Sequence, residues 1–175
     1  LQPLIEFIIS KVINNEEKDY ILAGKMDVEN IGIYGHSYGG YAAVAASEMI
    51  SECKASIDID GAILNSIPNF TKPVYFIRSN SEIAKKYGEN SIEESCGYIK
   101  SNGYMTEIKD AMHLDFIDFK YIGFEGVYGS VNSKELISYV NKTVIGYFDI
   151  YLKGKEESEF LKSVTSNPNV VFSKK

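Results

Sequence analysis

The most constraining stretch of this sequence is Gly35 to Gly40, which reads Gly-His-Ser-Tyr-Gly-Gly. It follows a short apolar run, Ile31–Tyr34, and precedes an alanine-rich segment. This order predicts a strand, a sharp turn and a helix, with Ser37 at the apex of the turn. In such a turn the serine adopts a strained backbone conformation that exposes its hydroxyl, and we expect that a side chain at Gly35 or Gly39 would collide across it. Ser37 is therefore the candidate nucleophile, and an ordinary glycine-rich turn is the alternative.

Size and composition restrict the classes of protein to which the chain can belong. Its 175 residues are 45% hydrophobic and 24% charged, which is typical of one soluble globular domain, so we expect residues 1–175 to form a single domain. The net charge of −6 argues against a nucleic-acid partner, because binding phosphates needs concentrated Lys and Arg. The first residues lack a charged segment and a cleavage site, so no signal peptide is expected and the compartment stays open.

Strand-like and helix-like segments alternate along the chain, which is typical of an α/β protein with a parallel sheet. We expect about four parallel strands, counting the one before Ser37, with helices on both faces of the sheet. The tail from Ser166 is expected to be loose. The other predicted strands are Ala55–Ile59, Pro73–Ile77 and Tyr104–Lys109, and the helical patterns are Leu1–Ile13, Ser81–Lys100 and a long helix from Ser133.

A serine nucleophile needs a base, and the chain contains only two histidines. His36 adjoins Ser37 in an extended segment, so its side chain should point to the other face and be packed and hydrogen-bonded beneath the turn. His113 follows the last predicted parallel strand, where the functional groups of open α/β sheets gather. His113 is therefore the candidate general base, and a surface histidine is the alternative.

Several carboxylates could orient that histidine, and position along the strands ranks them. Asp60 directly follows a predicted strand and is the preferred acid. Asp58 lies two residues earlier and is either a structural carboxylate or the acid itself. Glu82, which follows the next predicted strand, is the runner-up for the acid. Asp115 and Asp118 flank a short aromatic turn, where capping or solvated roles are favoured over the role of the acid.

Four stretches closely resemble the platelet-activating factor acetylhydrolase type II (plasma-type) family of α/β-hydrolases. They are 25–40, 57–61, 72–77 and 113–119, and the similarity covers most of the chain from Tyr20 to Phe119. The chain order of serine, aspartate and histidine is also the one expected of an α/β-hydrolase. The resemblance therefore implies an α/β-hydrolase fold.

The resemblance also implies a function and roles for particular residues. In that family the acid follows the strand after the elbow helix, which corresponds to Asp60, and the histidine opens a His-x-x-Phe-x-Asp-Phe run, which corresponds to His113. The implied activity is hydrolysis of carboxylic esters with short or modified acyl groups, at the sn-2 position in phospholipids, with no metal and no cofactor. One oxyanion donor should be the backbone N–H of Tyr38, and the second should come from a loop after the third strand of the complete fold.

The substrate pocket is less well determined by the sequence. Asn65, Phe70 and Phe116 could line an acyl pocket, and the alternative for each aromatic ring is an ordinary place in the core. The aromatic stretch from Phe116 to Tyr128 could also rest on a membrane surface. Because the chain is acidic and this stretch lacks a basic rim, membrane contact is the less favoured interpretation.

About 30 residues precede the elbow, where a complete α/β-hydrolase has several more strands. We therefore expect a C-terminal half that lacks the N-terminal strands and has the elbow strand at or near an edge. Such an edge invites self-association or pairing with a missing N-terminal half. Two alternatives to an active esterase remain. One is a catalytically silent C-terminal module, and the other is a dienelactone hydrolase-like or prolyl-peptidase-like enzyme with Glu82 as its acid.

Overall fold

The computed structural model of the protein describes residues 27–61, 70–80 and 99–175. The strands are β1 (Ile31–His36), β2 (Cys53–Ile59), β3 (Val74–Asn80), β4 (Gly103–Lys109) and β5 (Val170–Lys174). The helices are α1 (Tyr38–Met49), α2 (Ser133–Lys153) and α3 (Glu157–Thr165), and two 3₁₀ turns lie at His113–Phe116 and Asp118–Lys120. The predicted N-terminal helix and most of the helical pattern after β3 lie outside the described residues.

The five strands form one sheet in the order β1-β2-β3-β4-β5. The first four run parallel, as the alternation of strands and helices predicts. The expectation of a loose tail after Ser166 is wrong, because β5 pairs antiparallel with β4, from Val170 opposite Ile108 to Lys174 opposite Tyr104. Pairing satisfies the backbone groups along this side of β4, and Phe172 packs against the core.

Apolar side chains cover both faces of the sheet, because successive residues of a strand point to opposite sides. On one face, α2 and α3 bury a large cluster that includes Tyr75, Ile77 and Tyr147. On the other face, Val74 and Phe76 belong to a smaller cluster beneath α1. The third strand is thus buried on both sides, as its uninterrupted apolar sequence predicts.

Helix α1 lies close to the sheet because small side chains face it. Ala43, Ala46 and Ser47 are buried, and the Ser47 hydroxyl donates to the carbonyl oxygen of Val44 at 2.7 Å. This close packing brings the N-terminus of α1 directly behind the end of β1. None of the helices in the described part of the chain is long and apolar enough to span a bilayer.

Candidate active site

Ser37 stands at the junction of β1 and α1 in a conformation that L-residues rarely adopt. Its backbone angles are φ 58° and ψ −131°, which confirms the strained turn that the sequence predicts. Its N–H donates to the carbonyl oxygen of Ile59 at 2.8 Å, so the end of β2 holds the turn. A hydroxyl on such a turn projects away from the sheet, where a reacting group can approach it.

The steric demand on the glycines differs from the prediction. A Cβ atom on Gly35 would lie 2.5 Å from the carbonyl carbon of Gly39, so Gly35 is required as expected. A Cβ atom on Gly39 would meet nothing within 4 Å, and that part of the prediction is wrong. Gly40 is the second constrained position, because its Cβ atom would lie 2.9 Å from both the Gly35 oxygen and the Asp58 Cγ. The reason is helical geometry, since α1 turns Gly40 toward the sheet and leaves Gly39 exposed.

Three predicted residues from three parts of the chain form one hydrogen-bonded series. His113 Nε2 lies 2.9 Å from Ser37 Oγ, and His113 Nδ1 lies 2.8 Å from Asp60 Oδ2. Because an ionised carboxylate only accepts, Nδ1 carries the proton and Nε2 is left to accept from the Ser37 hydroxyl. The His113 side chain is 35% exposed and that of Asp60 is 1% exposed, so the series runs from the interior to the surface.

Asp60 is held by the strand next to its own. The Ser79 N–H donates to Asp60 Oδ1 at 2.6 Å and the Ser79 hydroxyl donates to Oδ2 at 3.0 Å. Burial pushes the pKa of Asp60 up, but hydrogen bonds from His113 and Ser79, with the nearby Arg78 charge, bring the pKa below its usual value. The carboxylate is therefore ionised at neutral pH. Ser79 is not among the residues predicted from the sequence, where its only signal is a polar run after a buried strand.

Asp58 is fully buried and does not contact the histidine. Its Oδ2 lies 3.0 Å from Arg78 Nη2, and its Oδ1 accepts from the N–H of Gly61 at 2.8 Å. Burial raises the pKa of Asp58, against the attraction of Arg78. Of the two predicted alternatives, Asp58 is thus the structural carboxylate, and its partner Arg78 is not among the residues predicted from the sequence.

His36 packs beneath the elbow, as predicted, and its partner is the histidine of the series. His36 Nε2 lies 3.0 Å from the carbonyl oxygen of His113, so the N–H form donates to it. The two imidazole centroids are 4.5 Å apart, and the ring of Phe116 lies 6.2 Å from that of His36. Burial, and then the proximity of His113, lowers the pKa of His36, which favours its neutral form.

The loop that carries His113 is organised around a third buried carboxylate, that of Asp115. Asp115 Oδ2 accepts from the N–H groups of Met112 at 2.9 Å and Gly129 at 2.7 Å, and Oδ1 lies 3.3 Å from Lys120 Nζ. Asp115 is therefore a capping group, as favoured, although it is buried rather than solvated. Asp118 is exposed at the start of the second 3₁₀ turn.

The predicted pocket residues are only partly supported. Phe70 is 1% exposed and packs against Phe76 in the cluster beneath α1, so it is a core residue and the pocket assignment is corrected. Phe116 is half-buried on the 3₁₀ turn that carries the histidine, beside the candidate site. Asn65 and the runner-up acid Glu82 lie outside the described residues.

The backbone N–H of Tyr38 is the first donor of α1. Among the described residues it donates to no acceptor, and the Tyr38 side chain is 70% exposed. A free N–H at a helix N-terminus can stabilise negative charge that develops next to the adjoining Ser37.

A family model described as platelet-activating factor acetylhydrolase, isoform II, matches residues 8–165. The match covers most of the chain and includes all three members of the hydrogen-bonded series. The chain belongs to this family.

Two individual relatives agree with the family assignment. The chain is 24% identical over 144 residues to a platelet-activating factor acetylhydrolase of Cavia porcellus, in an alignment that covers 75% of this chain and 32% of that protein. It thus spans about a third of the length of this curated relative. A ferulic acid esterase from Streptomyces cinnamoneus superposes with a TM-score of 0.76 at 19% identity, over 97% of this chain and 53% of the esterase chain. This likeness shows the α/β-hydrolase fold.

Proposed function

We propose that this chain forms part of a serine carboxylic-ester hydrolase. In this proposal Ser37 is the nucleophile, His113 is the general base and Asp60 is the acid that orients the base. The observation that carries the proposal is the unbroken hydrogen-bonded series from Ser37 Oγ through His113 to Asp60. It is supported by the strained backbone of Ser37, which is maintained by α1, by Gly35 and by the hydrogen bond from the Ser37 N–H to Ile59 at the end of β2. We infer a small ester or a phospholipid-like ester as the substrate class, because the matching family is described as platelet-activating factor acetylhydrolases.

The chemistry follows from the roles of the three residues. Ser37 Oγ attacks the ester carbonyl carbon while His113 Nε2 takes the hydroxyl proton, and the ionised Asp60 stabilises the imidazolium that forms. The tetrahedral intermediate collapses when Nε2 returns that proton to the leaving alcohol, which gives an acyl-enzyme on Ser37. His113 then removes a proton from water while the water oxygen attacks the acyl carbon, and Nε2 returns that proton to Ser37 Oγ as the acid leaves.

The oxyanion of the tetrahedral intermediate needs donors that are already in place. We assign one of them to the Tyr38 N–H, because it adjoins Ser37 and donates to no acceptor among the described residues. The electropositive N-terminus of α1 adds to this stabilisation, since the helix dipole points toward the developing charge.

The proposal is tested by covalent labelling and esterase assays on matched variants. A fluorophosphonate should add once to the wild-type chain and not to Ser37→Ala, as measured by intact mass. Asp60→Asn should lower kcat for p-nitrophenyl acetate by about 10⁴-fold, because it removes the carboxylate that holds the imidazole tautomer. Glu82→Ala is the matched control and should retain activity.

The outcomes separate the proposal from its alternatives. Activity lost in Glu82→Ala but kept in Asp60→Asn would favour the dienelactone hydrolase-like or prolyl-peptidase-like alternative. A folded wild-type chain that does not label at Ser37 by itself, but labels when an N-terminal half is supplied, would show that the chain is a silent module. An adduct on a residue other than Ser37 would contradict the proposal itself.

A further inference from the structure

One buried charge pair lies outside the hydrogen-bonded series that runs from Ser37 through His113 to Asp60. Asp58 on β2 is 0% exposed and Arg78 on β3 is 6% exposed, and neither is hydrogen-bonded to Ser37 or His113. Within the described part of the chain, Arg78 Nη1 is buried with no hydrogen-bond partner. Because burying charges costs solvation, such a pair often stabilises a fold no better than apolar residues of similar size. Its contacts therefore suggest a purpose other than stability.

The carboxylate of Asp58 lies where three elements meet. Its Oδ2 binds Arg78, and its Oδ1 accepts from the N–H of Gly61, the residue after the proposed acid. A Cβ atom on Gly61 would lie 2.5 Å from that same oxygen, and a Cβ atom on Gly40 would contact it as well. Asp58 thus fills the space between the start of α1 and the turn that follows β2.

That turn determines the position of Asp60. Asp60 has a φ of 53°, in the left-handed region, so its side chain leaves the sheet at an angle that a continuing strand would not give. The hydrogen bond from the Gly61 N–H to Asp58 Oδ1 joins the residues on either side of Asp60. The N–H of Asp60 donates to the carbonyl oxygen of Ile77 at 2.7 Å, which fixes the other side of the turn to β3.

Arg78 connects Asp58 to β3, the strand whose Ser79 holds the proposed acid. The next residue, Ser79, donates two hydrogen bonds to the Asp60 carboxylate. The guanidinium lies over the ring of Phe76, 4.9 Å from its centroid, and so is held against the core. Two consecutive residues of β3 therefore bind two different aspartates. Arg78 binds Asp58 in β2, and Ser79 binds Asp60 just after β2.

We propose that Asp58 and Arg78 are positioning residues that hold the Asp60-Gly61 turn against the elbow, through the Asp58 hydrogen bond to Gly61. This inference rests on the proposed function, because its purpose is to bring Asp60 to His113. The pair aligns the acid without touching substrate, so its loss should change the chemical step rather than substrate binding.

Two double variants test the proposal, since either single variant would leave a buried charge unpaired. Asp58→Leu/Arg78→Met removes the charges and the acceptor for the Gly61 N–H. Asp58→Asn/Arg78→Gln removes the charges but retains a side-chain oxygen that can accept from Gly61. The readouts are kcat and KM for p-nitrophenyl acetate, the thermal midpoint, and the downfield Nδ1–H proton resonance of isotope-labelled His113, which reports its hydrogen bond to Asp60 independently of turnover.

We expect the apolar double variant, Asp58→Leu/Arg78→Met, to lower kcat by about tenfold or more at unchanged KM and to lose the His113 resonance. Its thermal midpoint should stay near that of the wild type. The polar pair should keep kcat within about threefold of the wild type and retain the resonance. An apolar pair that keeps both kcat and the resonance overturns the proposal, as does equal loss in both variants. If wild-type Ser37 proves unreactive, the proposed function fails, and the resonance alone decides the positioning role.

Discussion

The elbow and the loop that carries His113 present the side chains of the proposed nucleophile and base by different means. In the elbow, residues 35–40, position is set by backbone contacts, since Gly35 and Gly40 leave no room for a Cβ atom and Ser37 is held at a positive φ. The loop, residues 110–129, contains only two short 3₁₀ turns. Its shape depends on side-chain hydrogen bonds. Asp115 accepts two of them within the loop, and His36, which is distant in sequence, donates one to the carbonyl oxygen of His113.

The difference indicates how each region should respond to change. A steric constraint has no graded form, because an extra atom either fits or displaces the backbone. A hydrogen bond can be weakened, replaced or titrated, so its effects are smaller and depend on pH. The proposed nucleophile should therefore be sensitive to volume, and the proposed base should be sensitive to polarity and protonation.

The largest expected effect comes from filling the tight side of the elbow. Gly40→Ala should destabilise the fold by about 3 kcal/mol or more and abolish labelling of Ser37, because its Cβ atom would meet Gly35 and Asp58. Gly39→Ala is the matched control, with an open site, and should stay within about 1 kcal/mol of the wild type or be slightly more stable. Urea unfolding and fluorophosphonate labelling measure both. Similar losses in the two variants would show that the steric account of the elbow is wrong.

An intermediate effect is expected from the carboxylate that organises the histidine loop. Asp115→Ala leaves the N–H groups of Met112 and Gly129 without their acceptor and should cost about 1–3 kcal/mol of stability, with a lower kcat. Asp115→Asn should be much milder, since both N–H groups donate to one oxygen and an amide oxygen can replace it. Chemical unfolding and esterase assays provide the comparison. If the asparagine variant is as impaired as the alanine variant, the ion pair to Lys120 is the contact that matters.

The smallest expected effect is a pH dependence that arises from His36. Burial and the proximity of His113 lower the pKa of His36, so the unfolded chain binds this proton more readily than the folded one. The associated stability is fully present above about pH 6.5 and is lost as the pH falls through the folded-state pKa. Between about pH 8 and about pH 5, the free energy of unfolding should fall more for the wild type than for His36→Asn, by on the order of 1 kcal/mol at most.

Denaturant unfolding at a series of pH values tests this difference. The charges of His113 and Asp60 also act on the pKa of His36, and both residues remain in the His36→Asn variant. The difference between the two proteins therefore isolates the titration of His36 and its coupling to His113. Parallel pH curves for the two proteins would contradict the assignment.

The strands and the elbow could be predicted because their signals are local. The apolar run of β3 and the glycines around Ser37 carry that information within a few neighbouring residues. The pairing of β5 with β4 could not be predicted, because a five-residue segment forms a strand only when an unpaired edge is available to it. Gly39 was misjudged for a related reason: the pattern marks both glycines, but only the orientation of α1 decides which one faces the sheet.

The sequence by itself determined a serine on a strained turn, a histidine after a late strand and an aspartate at the end of the strand between them. Tertiary structure decided which carboxylate meets His113, since Asp58 and Asp60 differ only by two positions in sequence. Asp60 lies in a left-handed turn where Ser79 and His113 donate to it, whereas Asp58 points toward α1 and pairs with Arg78. Hydrogen bonds between distant residues depend on the register of neighbouring strands, and register is a property of the folded sheet.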